Sequence, residues 1–292
     1  MKLGKYDDTN WHKDHPMAEI LFQYCLAGDD PLSPDNFLLI LGRQTGDFYN
    51  QRHRHNFEQV RLPLEGDMNI GDGMTLKQGQ VGYFPEGLPY GPQDDPGKRL
   101  QLVLQFGGAS GCGFMSMDDR LRARDELGRI GKWEGPNYRH PDGKLEWGLN
   151  VIWERVFGER LKYPMPRYTR PVVADPQRFN WLPVASGVAR KFLGSFTERQ
   201  FWLEMVRVKP GATWSSRHDQ ARRLFFVIDG EAECGMGSVG KYDALQAEAG
   251  ETLEISARTE LNLFVMGLPP VIVPTDGGAE FELVDGAADE RV

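Results

Sequence analysis

The sequence is poor in the residues that usually announce a chemistry. Its three cysteines, Cys25, Cys112 and Cys234, stand far apart in 292 residues and outside any Cys-x-x-Cys spacing. An odd, scattered set builds no disulfide framework and reads as inert thiols in a reducing cytoplasm. No apolar run approaches the length that spans a bilayer; the longest, such as "NFLLILG", have the length of a strand. The opening "MKLGKYDDTNWHKDH" is polar and mixed in charge, unlike a signal peptide. Basic residues are outnumbered, 34 against 42, giving a net charge of −8. Neither nucleic acid nor a membrane is therefore an expected partner, and basic clusters such as "RLRARDELGR" are interrupted by acids. There is no Gly-x-Ser-x-Gly, no phosphate-cradling loop and no dinucleotide fingerprint. Serine hydrolase, nucleotide-dependent and dehydrogenase readings lose their support.

What the sequence does have is strands. "NFLLILGR", "QVRLPLEG", "QVGYFPEG" and "KRLQLVLQFGG" crowd residues 36–108, separated by turns such as "EGDMNIGDG" and "QDDPGK". Close spacing of short strands predicts a barrel or sandwich. The pattern then changes: "SMDDRLRARDELGRIGKW" and "KLEWGLNVIWERVFGER" carry apolar residues at helical spacing, with the loop "EGPNYRHPDG" between them. Strand patterns return near residue 180, in "FWLEMVRVKPGATW", "RRLFFVIDGEAECG", "ETLEISA" and "ELNLFVMG". "FFVIDGEAECG" echoes "RLPLEGDMNIG", and "AEAGETLEIS" echoes "LKQGQVGYFP". Aligning Gly66 with Gly230 and Gly79 with Gly250 gives two copies of one β unit.

Histidine is scarce: six, at 12, 15, 53, 55, 140 and 218. His53 and His55 sit one residue apart, so on a strand both face one side, roughly 6–7 Å apart. Imidazoles so placed can share a cation, or form part of a hydrogen-bonded barrel pocket. His12 and His15 lie in an exposed-looking segment and His140 in a turn. If His53, His55 and Gln59 face inward, parity sends Arg61 inward too, to meet a substrate carboxylate or an internal Glu. In "RLQLVLQF", Gln101, Val103 and Gln105 share one face, a polar lining suited to a ligand. Tyr83 is a further pocket candidate, with a place in the core as the competing reading.

His53-x-His55, Gln59, an apolar strand and Gly66 resemble the first motif of the cupin superfamily, His-x-His, three or four residues, Glu, then Gly. "GQVGYFPEG" resembles the second, Gly-x5-Pro-x-Gly, carried by Gly79, Pro85 and Gly87. The resemblance implies a mainly β bicupin: two cupin jelly-roll barrels joined by a helical connector. It divides the chain into an N-terminal arm (1–35), an N-terminal barrel with the site (36–108), the connector (109–178) and a degenerate C-terminal barrel (179–292). It also implies a divalent metal ion, Fe2+ first and Mn, Ni or Zn as others, on His53, His55 and Gln59. Here the family's Glu position falls on Gln59, or on Glu58 if the register shifts by one. The position of its third His falls on Tyr90.

In the second barrel the same alignment puts Arg217, Asp219 and Arg223 at the ligand positions, with His218 between them. Guanidinium groups repel a cation, so that barrel is expected to be metal-free, a packing or dimerisation module with an anion pocket as the alternative. The layout is similar to gentisate-type bicupin dioxygenases, whose metal set is three histidines. The implied activity is oxidative cleavage of a small aromatic or dicarbonyl compound, with Arg61 orienting a carboxylate. The alternatives are a metal-free isomerase or epimerase using His53 or His55 as base and Tyr90 as acid, and a non-catalytic metabolite-binding protein. A homodimer is the expected assembly.

Overall fold

The computed structural model describes residues 1–15, 19–30, 33–71 and 73–272. The N-terminal part carries β1 (Lys2–Gly4), β2 (Ile20–Ala27), β3 (Phe37–Gln44), β4 (Phe48–Asn50) and β5 (Glu58–Glu65). It continues through β6 (Met68–Gly71), β7 (Met74–Leu76), β8 (Val81–Phe84), β9 (Gln93–Asp95) and β10 (Arg99–Phe106). The connector holds α1 (Met117–Gly128), β11 (Lys132–Glu134), β12 (Asn137–Arg139), β13 (Leu145–Trp147), α2 (Gly148–Phe157) and β14 (Val172–Ala174). Ten more strands follow. They are β15 (Leu182–Ala185), β16 (Val188–Phe196), β17 (Phe201–Val208), β18 (Thr213–Arg217), β19 (Arg222–Asp229), β20 (Ala232–Cys234), β21 (Gly237–Val239), β22 (Ala244–Ala247), β23 (Thr252–Ala257) and β24 (Leu261–Leu268).

Two large sheets dominate, in the orders β14-β8-β5-β10-β3-β2 and β1-β22-β19-β24-β17-β16-β15. Smaller sheets fold over each: β4-β9 and β6-β7 on the first, β18-β23-β20-β21 on the second. The large sheets share one core. Leu39, Leu41, Leu102 and Leu104 of the first pack in it with Leu203, Leu224, Phe264 and Met266 of the second. Period-2 alternation then turns the opposite residues of each strand into the interior of its own half. That is why Gln101, Val103 and Gln105 line a cavity while Leu100, Leu102 and Leu104 lie in the shared core.

Three expectations need correction. The segment 1–35 is more than an arm: β2 pairs along its length with β3, and β1 crosses to pair with β22 in the other sheet. The segment between the helices is a three-stranded meander rather than a loop. Its strands pair antiparallel in sequence order, and Trp133 donates to the Arg124 carbonyl at 3.0 Å and Tyr138 to the Leu127 carbonyl at 3.0 Å, tying the meander to the end of α1. The second sequence echo is also one strand out of step. β5 is flanked by β8 and β10, and β19 by β22 and β24, so β8 corresponds to β22, which precedes Gly250. The counterpart of Gly79 is Tyr242. Gly79 (φ 80°) donates to the Pro63 carbonyl at 2.9 Å, and Tyr242 (φ 71°) to the Val227 carbonyl at 2.7 Å.

α1 starts where Ser116 Oγ accepts from the Asp119 backbone N–H at 3.2 Å, a side-chain N-cap. α2 stops at Gly158, whose φ of 73° gives a left-handed cap. Among the described residues no helix is long and apolar enough to cross a membrane.

Candidate functional site

His53 and His55 precede β5, and two backbone pairings fix them. His53 and Tyr90 exchange N–H···O bonds at 3.0 and 2.9 Å, so their side chains meet directly across an isolated bridge. Gly87 donates its N–H to the His55 carbonyl at 2.7 Å. Only glycine serves there: its φ is 75°, and a Cβ would stand 1.8 Å from the Pro164 carbonyl oxygen of the connector. The second sequence motif thus positions the first. The two imidazoles converge, with ring centroids 4.9 Å apart.

Their hydrogen bonds form one connected set. His53 Nδ1 donates to the Gln51 carbonyl at 2.8 Å, which leaves Nε2 as an acceptor for the Tyr90 hydroxyl at 3.1 Å. Gln59 Nε2 donates to His55 Nδ1 at 2.6 Å, so the proton of His55 sits on Nε2. Arg61 closes the set, donating to Gln59 Oε1 at 2.9 Å and to the Tyr90 oxygen at 2.9 Å. Burial pushes the His53 imidazole down to about 4; the Gln51 carbonyl opposes this and Arg61 adds to it. Burial, His53, Arg61 and Arg120 hold His55 well below the ordinary imidazole range. Tyr90 is raised by burial, against Arg61 and Gln59, and keeps its proton. Both histidines are neutral at physiological pH.

The expected divalent ion does not fit this donor set. Among the described residues no three His, Cys, Asp or Glu side chains come together as a metal site. The lone pair of His53 Nε2 is taken by Tyr90 and that of His55 Nδ1 by Gln59, while a guanidinium occupies the carbonyl oxygen that Gln59 would offer. A fixed cation inside the ligand set repels a second one.

Glu58 is no substitute for Gln59. It lies on the other face of β5, fully buried, and accepts from the Glu86 backbone N–H at 3.0 Å. Glu86 in turn pairs with Arg167 at 2.6 Å, and Arg167 with Glu198. Burial first, then the neighbouring Glu86, pushes the Glu58 carboxyl up to about 8. Tyr83 is likewise outside the cavity, packed in the shared core against Tyr168, Phe196 and Phe201. Gln101, Gln105, His53, His55 and Arg61 do line it, in a space of about 110 Å³.

The lining adds residues that the sequence reading passed over. Arg99, Arg120 and Arg124 join Arg61, and Trp147 comes within 5.8 Å of His53 between ring centroids. Arg120 and Arg124 stand four apart in "RLRARDELGR", on one helical face, with the acids that interrupt the run at other positions. Among the described residues no Asp or Glu lines the cavity. Arg99 alone has a carboxylate, Asp95 at 2.8 Å.

Two stacked sheets of one strand order, each folded over by smaller sheets, are shared with known proteins. A protein from Geobacillus kaustophilus superposes with a TM-score of 0.57 at 14% identity, over 91% of this chain and 94% of its own. A mutant of Bacillus subtilis oxalate decarboxylase gives 0.54 at 13%, over 92% and 77%. Bacterial pirin from Escherichia coli, in complex with nickel(II), gives 0.56 at 12%, over 92% and 99%. The family model of the ChrR cupin-like domain matches residues 169–265. The chain has the bicupin fold. No curated protein matches it.

In this bicupin the larger concavity, about 1010 Å³, opens beside the second large sheet. Its charges are largely satisfied internally. Arg190 stands 3.6 Å from Glu204, Arg217 pairs with Asp219 at 2.8 Å, and His218 lies against Trp202 at 4.8 Å between centroids. Arg223, nearly fully buried, donates to Ser216 Oγ at 2.8 Å and to the Glu251 carbonyl at 2.6 Å. Arg217 and Arg223 thus share the concavity, and neither is aimed at a ring of acceptors fit for a metal.

Proposed function

We propose that the N-terminal half of this bicupin binds a small organic acid by its carboxylate, without a metal. One observation carries the reading: among the described residues four arginines and no Asp or Glu line the cavity, in a chain of net charge −8. Among the described residues the partners of Arg61 are neutral: Gln59, Tyr90, the Met68 sulfur and the faces of Phe84 and Tyr90. Enclosing an uncompensated guanidinium costs several kcal/mol, on the order of what a bidentate carboxylate returns. Around it the other groups offer protons: His55 Nε2–H, and the guanidinium groups of Arg120 and Arg124.

Magnitudes favour capture over proton transfer. An imidazole held at about 4 is a weak base at neutral pH, and a phenol raised above its ordinary 10.0 is a weak acid. The cavity limits size. About 110 Å³ is somewhat less than the roughly 150 Å³ that encloses benzene, so an acid of about three to four carbons fits.

A metal-dependent oxygenase acting on an aromatic or dicarbonyl compound is the second reading, favoured by the convergence of the two imidazoles at 4.9 Å. It requires Arg61 to release Gln59 and Tyr90. Protein purified without a histidine tag, analysed for metal and titrated with small acids in thermal unfolding, separates the two. Less than about a tenth of an equivalent of metal, and a Tm raised by millimolar acids through Arg61, is the expected result. Stoichiometric iron, manganese, nickel or zinc bound through His53 and His55, with no response to acids, would overturn the proposal.

A further inference from the structure

We propose that the acid is a short dicarboxylate, held at one end by Arg61 of β5 and at the other by Arg120 and Arg124 of α1. This rests on the reading of the cavity as a carboxylate site and goes further, to the class of acid.

The arginines of α1 divide by face. Arg122 pairs with Asp119 and Arg129 with Asp125, both pairs in solvent. Glu126 pairs with Arg155 of α2 at 2.6 Å. Arg120 and Arg124, turned to the cavity, have no ion pair among the described residues. The guanidinium of Arg120 makes no hydrogen bond there, and Arg124 rests on the Trp133 ring at 4.2 Å. Like charges four apart on a helix oppose each other, and the helix spends its acids elsewhere. An anion between the two removes that opposition.

The second end lies across the same space. Arg61 from β5 and Arg120 from α1 line one cavity together with His55. Gln101 lines the same cavity, and its side-chain oxygen is buried without a partner among the described residues, open to a polar group on the ligand. A monoacid engages one cationic end and leaves the other unmatched. A three- or four-carbon diacid engages both within the volume available.

Calorimetry with matched pairs tests this, malonate against propionate and succinate against butyrate, at one ionic strength. We expect the wild type to hold the better diacid about tenfold or more tighter than its monoacid. Arg120→Gln, or Arg124→Gln should that variant fold poorly, brings the diacid to the level of the monoacid, and Arg120→Lys restores part of the preference. Arg61→Gln weakens both acids. Equal affinity for diacid and monoacid in the wild type, or a preference untouched by both helix variants, overturns the dicarboxylate while leaving the carboxylate site standing. Inorganic phosphate binding more tightly than either diacid also overturns it, since one compact dianion would then suffice. Absence of binding by every acid sinks the proposal together with the reading beneath it.

Discussion

The two halves of the molecule share a strand order and differ in what fills them. β5 and β19 hold the same place in their sheets, each followed by a glycine turn, Gly66 at φ 77° and Gly230 at φ 97°. Counting back from those glycines, His53, Gln59 and Arg61 face Arg217, Arg223 and Phe225. Phe225 is completely buried, in a core with Val206, Leu245 and Val265. The first half has a cation and space where the second has a ring and none. The helices sharpen the contrast, since α1 and α2 line the first cavity and neither lines the second concavity. At this position one scaffold thus holds a packed ring in one half and a cation beside a cavity in the other.

The largest test removes the plug. Phe225→Ala should destabilise the protein by about 3–5 kcal/mol in denaturant unfolding, the usual cost of an aromatic lost from a closed core. A loss under about 1 kcal/mol would mean that the interior of the second half is not closely packed around Phe225. The corresponding change in the first half, Arg61→Met, should cost little stability, because the cation removed has no anionic partner. It should weaken binding of small acids by roughly ten- to a hundredfold in calorimetry. A large stability loss without a binding loss would make Arg61 structural.

Smaller effects follow from the face of β5 turned away from the cavity. The Glu58 carboxyl is raised from 4.5 to about 8 in the fold, so it folds protonated. A carboxyl raised in this way contributes fully at low pH, and its contribution is lost as pH climbs from about 4.5 through about 8. Glu58→Gln cannot ionise and should unfold at a higher temperature than the wild type at pH 9, with the gap narrowing as pH falls toward 5. Equal pH profiles would contradict the burial of that acid. Smallest is Tyr90→Phe, which leaves His53 Nε2 and Arg61 each without one partner and should cost about 1 kcal/mol in unfolding.

Much of the fold was readable because alternation and glycine turns are local. Residues 37–44, 58–65 and 99–106 are strands where the apolar pattern put them. Gly87 fell in a motif whose reason, the close approach of Pro164, is visible only in three dimensions. The second echo misled because the turn that glycine makes at position 79 is made by Tyr242 in the other half, and a tyrosine at positive φ leaves no trace in a pattern of glycines. The histidines, Gln59 and Tyr90 could be brought together on paper, but the charge around them could not. Arg120 and Arg124 lie about sixty residues further on, across a helix whose acids masked them in the linear sequence.

The crossing of strands between halves has a consequence for how the protein is made. β1 completes the edge of the second large sheet at β22, and β14, from the end of the connector, completes the first at β8. During synthesis β1 waits for a partner more than two hundred positions further along the chain, and the first sheet keeps a bare edge until the connector is out. Either half expressed alone would carry an unpaired backbone ladder open to aggregation, so the whole chain is the natural unit for purification and dissection.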